Sequence, residues 1–115
     1  MPAVATRRPP DLIDVHFTWM NASPLTLASL KIGQLIEFVD AQITTPFDDP
    51  SATLQVGTSA DPGMFLDPSQ ISTSIIGQYA NDEISRVTVA DVFILTISPM
   101  TSSQGEGHLY YRIKG

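Results

Sequence analysis

Four aspartates crowd one stretch of this 115-residue chain: Asp48, Asp49, Asp61 and Asp67. Their carboxylates are hard oxygen donors, the kind that calcium gathers in sixes to eights. The spacing argues against that use. The alternating acidic order of a calcium-binding loop is absent, and the stretch holds no glutamate to close a site. Asp49, Asp61 and Asp67 each precede proline, which is turn chemistry. The four are therefore read as turn residues of two loops that flank the short apolar run Leu54-Gln55-Val56.

Two histidines are the other candidates. Zinc needs three or four ligands, and the chain has no cysteine. His16, His108 and Glu106 would form a set only if the first and last strands were neighbours; exposed histidines on a sheet face are the simpler reading. Ser59 in "GTSAD" lies outside a G-x-S-x-G elbow. There is no phosphate-binding glycine loop, and the "GEG" at 105–107 reads as a tight turn before a strand. No cofactor is expected, and no enzyme. Trp19, Tyr79, Tyr110 and Tyr111 would suit stacking against a sugar ring, which keeps a carbohydrate-binding module as an alternative. Alternation favours Trp19 and Tyr111 as core, with Tyr79 and Tyr110 at the rim.

The totals narrow the partners. Net charge is −6, from six basic and twelve acidic residues. Arg7 and Arg8 fall in "MPAVATRRPP", so the rest of the chain holds four basic residues against all twelve acidic ones. Such a body repels phosphate backbones, and no nucleic-acid binding is expected. No run approaches the roughly 20 apolar residues of a membrane-spanning helix, nor does the start resemble a signal peptide, so no membrane partner is expected.

The elements that must position these residues read as strands. Pro2, Pro9 and Pro10 bias residues 1–10 to an extended arm, a strap for a neighbour with Arg7, Arg8, Pro9 and Pro10 as its contacts. Residues 11–115 read as one domain. Ile13, Val15, Phe17 and Trp19 alternate on the inner face of a first strand. "LTLASLKI" is a second, ended by Gly33. "QLIEFVDAQITT" is a third, with Leu35, Val39, Ala41 and Ile43 on one face. Helical spacing competes over 34–42, but the β-branched ending favours strand. "SATLQVG" is a fourth, and "SQISTSIIG" a fifth with Ile71, Thr73 and Ile75 aligned. Val87 and Val89 share a face with Phe93, Leu95 and Ile97 across two strands or one bent one. "GHLYYRI" closes the series with Leu109, Tyr111 and Ile113 inward. About eight strands with proline and glycine turns imply an all-β antiparallel sandwich, jelly-roll-like, though an immunoglobulin-like order also fits.

A family resemblance runs through residues 35–115. Thr45, Phe47 and Asp48, then Val56-Gly57, then Asp61, Pro62, Phe65 and Leu66 follow one another in that order. Gly77 with Tyr79, Ala90-Asp91, and Gly105 with Gly107 complete the pattern. It resembles a domain recurrent among structural proteins of tailed-bacteriophage virions. The resemblance implies a non-enzymatic virion sandwich, assembled in the host cytoplasm, that decorates or cements a capsid or stands in a fibre or neck. Its partners would be the major capsid protein or other virion subunits and like copies, with a trimer favoured. Ile36, Phe38, Phe65, Tyr79 and Tyr110 are the interface candidates, with Val92 and Ile94 beside them.

Overall fold

A computed structural model describes residues 12–81 and 83–115. The proposed strap contacts Arg7, Arg8, Pro9 and Pro10 lie outside the described residues.

Eight strands follow one another in the described chain: β1 Ile13–Thr18, β2 Leu25–Leu30, β3 Leu35–Thr45, β4 Thr53–Thr58, β5 Gly77–Asn81, β6 Ser85–Arg86, β7 Asp91–Ser98 and β8 Glu106–Lys114. They form two antiparallel sheets. One runs β1-β8-β3-β5, with β6 also on β3; the other runs β2-β7-β4. Strands β1 and β2 are consecutive but lie in different sheets. An immunoglobulin domain pairs its first two strands in one sheet, so that order does not apply.

The core lies between the sheets because each strand's alternation turns one set of side chains inward. Phe17, Leu109, Tyr111, Val39, Ala41 and Ile43 enter from the larger sheet; Leu54, Val56, Phe93, Leu95 and Ile97 meet them from the smaller. Phe93 stands edge-on to Tyr111 at 4.8 Å and to Phe65 at 5.5 Å, so three rings join the sheets and a loop. Burial in this cluster pushes the Tyr111 hydroxyl up from its ordinary pKa.

Three expectations about phase need correction. In β3, Glu37 faces Arg112 and Asp40 faces Tyr110 on β8, so Phe38 and Val39 together oppose Tyr111 alone. That is a β-bulge, with Phe38 in the left-handed region at φ 56°. The extra residue resets the alternation, and Ile36 rather than Leu35 joins Val39 in the core. "SQISTSIIG" is not a strand. It forms a single 3-10 turn, Pro68–Gln70, and then an irregular run in which Ile71 and Thr73 are buried while Ile75 and Ile76 are exposed. The fifth strand begins only at Gly77. Finally, Val87 is buried but Val89 is exposed, because the chain turns between β6 and β7 and breaks their shared phase.

Candidate functional site

The four aspartates do not converge. Asp48 and Asp49 clamp the loop between β7 and β8. Asp49 Oδ2 accepts from the Thr101 amide at 2.9 Å and its hydroxyl at 2.6 Å; Asp48 accepts from the Ser103 amide at 2.7 Å and its hydroxyl at 2.6 Å. Gln104 closes the contact by donating to the Pro46 carbonyl at 2.9 Å. The Ser103 hydroxyl holds the Asp48 carboxyl below the usual range, and the Thr101 hydroxyl does the same for Asp49. Asp67 instead caps the 3-10 turn, accepting from the Ser69 amide at 2.8 Å. The Asp61 carbonyl accepts from the Met64 amide at 3.1 Å in a separate turn. Each aspartate is thus used in loop structure. Among the described residues, no three His, Asp or Glu side chains are placed to hold a metal.

A fifth aspartate carries the same chemistry unflagged by any turn signal. Asp91 accepts from the Ser59 hydroxyl, from the Val92 amide at 2.7 Å and from the Ala60 amide at 3.2 Å. With the Ser59 hydroxyl as the main cause, its carboxyl falls to about 2. Ser59 is therefore a loop fastener whose hydroxyl is committed to a carboxylate. Only the "A-D" step at the start of a strand hinted at this role.

The outer face of the five-stranded sheet is where polar chemistry gathers. β1 and β8 are neighbours, so His16 lies directly opposite His108, with ring centroids 5.0 Å apart. His16 Nε2 is 2.5 Å from Glu106, and His108 Nδ1 is 2.8 Å from Asp14. A carboxylate accepts only, so those nitrogens are the protonated ones. The His108 ring stacks on Tyr110, whose hydroxyl donates to Gln42 at 3.2 Å. Gln78 donates to Asp40 at 2.6 Å. Arg112 reaches Glu37 at 3.1 Å while its guanidinium lies 4.6 Å over the Phe38 ring. His16, His108 and Glu106 do come together, as side-chain pairs across two strands.

The interface candidates separate by burial. Ile36 at 1% and Phe65 at 4% exposure are core. Tyr110, expected at the rim, is only 7% exposed, whereas Phe38 at 48% is open. Tyr79 is half-buried, as are Trp19 and Val92; Ile94 is buried. The four aromatics therefore form no common platform, since Tyr111 faces the core and Tyr110 the opposite side of β8. Other exposed apolar residues lie elsewhere, including Ile75 and Val89, whose alternation in the sequence places them on inner faces. Ile75 and Ile76 precede β5, and Ile84 and Val89 flank β6. Beside β6 a cavity of about 280 Å³ opens, lined by Leu30, Ile36, Met64, Phe65, Val87 and Val89 among others.

No family model matches this chain, and no curated protein matches it. Among solved structures it is similar to a chain of the "Cyanophage Pam1 capsid asymmetric unit". The TM-score is 0.58 at 19% identity, over 90% of this chain and 81% of that one. The likeness is one of fold.

Proposed function

We propose that this protein is a non-enzymatic structural component of a phage virion that decorates or cements the capsid. The observation that carries the reading is the shared fold with a chain of a cyanophage capsid, which extends over 90% of the sequence. The side chains support it. Ser59 and the side chains of Asp48, Asp49 and Asp67 are engaged in closing loops, and both histidines pair with carboxylates. Strands 1-8-3 opposite strands 2-7-4 suit a jelly roll, a double-sheet architecture that capsid domains use.

The contact surface is proposed to be the edge beside β5 and β6. Ile75, Ile76, Ile84 and Val89 are exposed at the two ends of this edge, and apolar side chains left in solvent are what an association site would cover. A like copy or a capsid subunit would cover them, and a closed trimer suits such a position. Quantitative mass spectrometry of purified particles tests the reading. A copy number comparable to the major capsid subunit supports decoration; a small fraction would place the chain at a vertex, neck or fibre. Absence from the particle would overturn the virion role.

A further inference from the structure

Strands β1 and β8 set two histidine–carboxylate pairs side by side on the outer face of the five-stranded sheet. In their antiparallel register Asp14 stands opposite Tyr110, His16 opposite His108 and Thr18 opposite Glu106. Each histidine reaches diagonally to a carboxylate on the other strand, His16 Nε2 to Glu106 at 2.5 Å and His108 Nδ1 to Asp14 at 2.8 Å. The two pairs thus mirror each other about the step from His16 to His108.

The carboxylates decide which imidazole lone pairs are left over. With the proton on Nε2 of His16 and on Nδ1 of His108, the neutral rings keep their lone pairs on His16 Nδ1 and His108 Nε2. Neither of these nitrogens has a hydrogen-bond partner among the described residues. A histidine that donates one N–H to a carboxylate and offers its other nitrogen is set up as metal-ligating histidines are. On this face the arrangement occurs twice.

The spacing suits a shared ion. An ion about 2.0–2.1 Å from an imidazole nitrogen lies about 3.2 Å from the ring centre, so two rings bound at a tetrahedral angle have centres about 5.2 Å apart. The centres of His16 and His108 are 5.0 Å apart, with the planes tilted by 46°. His108 is further held in its plane by stacking on Tyr110. The His16 side chain is 48% exposed and that of His108 31%, so an ion from solvent reaches both. Asp14 and Glu106 place two negative charges beside the rings, which favours a dication. Among the described residues no group of three His, Asp or Glu is placed to hold a metal, so water would complete the shell. Imidazole ligands suit nickel, copper or zinc, whereas magnesium and calcium take oxygen.

We propose that His16 Nδ1 and His108 Nε2 bind one divalent transition-metal ion, with Glu106 and Asp14 orienting the two rings. Strand β1 is a sheet edge that pairs with β8, so the ion would clip that edge to the rest of the sheet. The inference does not depend on the virion reading and is tested on the isolated, tag-free full-length chain. Calorimetric titration with nickel chloride near neutral pH should show saturable binding of one ion per chain in the micromolar range, and magnesium chloride should give none. His16→Ala and His108→Ala should each weaken nickel binding about 10-fold or more, and Glu106→Gln should weaken it by a smaller factor. Nickel should also raise the urea midpoint of the unaltered chain but not of the histidine variants, because the paired site exists only in the folded state. Imidazole nitrogen resonances of the unaltered chain provide a check that needs no variant. Zinc chloride should shift His16 Nδ1 and His108 Nε2 far more than the two protonated nitrogens. Absence of nickel binding at millimolar concentration, or equal affinity in both histidine variants, would overturn the proposal. So would zinc shifts confined to one ring.

Discussion

At the residue scale, the aspartates act through the hydrogen bonds they accept, and this fixes how they answer to pH. Asp48, Asp49 and Asp91 have folded-state carboxyls below their ordinary values, Asp91 at about 2. In the unfolded chain an aspartate titrates near 3.9. The stabilisation is therefore fully present above about pH 4 and is lost as pH falls through the folded values toward 2. The urea midpoint of the intact protein should fall across that window. Asp91→Asn should lower the midpoint at neutral pH and flatten this dependence; an equally steep acid decline in that variant would show that Asp91 does not contribute. Asp-Pro steps made the turns legible in the sequence. Their partners were not, because Thr101 and Ser103 lie 52 and 55 residues away from Asp49 and Asp48.

Among the elements, the bulge in β3 and the glycine in β8 set what the outer face can present. Deleting Phe38 would remove the extra residue and restore strict alternation. Ile36 and Val39 would then stand two residues apart and share the inward phase that both already have. Far-UV circular dichroism should therefore show the sandwich still folded after the deletion; an unfolded variant would mean that the bulge itself is required. Gly107 stands where β8 passes between β1 and β3. A Cβ there would strike the Gln42 carbonyl and lie 2.7 Å from the Phe17 ring. Gly107→Ala should cost about 1–3 kcal/mol of unfolding free energy, the usual range for overpacking. Little change in the denaturant midpoint would mean that the strands can spread at that point.

For the whole molecule, the sheets are joined by apolar packing, and attachment is assigned to a surface apart from it. Phe93→Ala removes the ring that touches both Tyr111 and Phe65, and should destabilise by about 3–5 kcal/mol in equilibrium unfolding. Ile76→Asp with Ile84→Asp should leave the unfolding midpoint nearly unchanged while abolishing self-association or particle binding in sedimentation assays. Retained binding would move the contact surface away from β5 and β6. Removing residues 1–10 should weaken particle attachment with the sandwich still folded, as circular dichroism would report.

The sequence by itself determined the class of fold, because period-two alternation in stretches such as residues 13–17 and 107–113 admits little else. It also determined the punctuation, since proline, glycine and aspartate act on their own backbone. What only the tertiary structure decided is which residues meet. His16 faces His108 because β1 pairs with β8, a consequence of closing the sandwich rather than of any spacing. Ile36 entered the core because a single inserted residue reset a strand's phase, and alternation counted from one end cannot register that insertion. Ile75 stayed in solvent for a related reason. Its run had the pattern of a strand, but β3 pairs with the chain only from Gly77 onward, and a strand without a partner cannot satisfy its backbone.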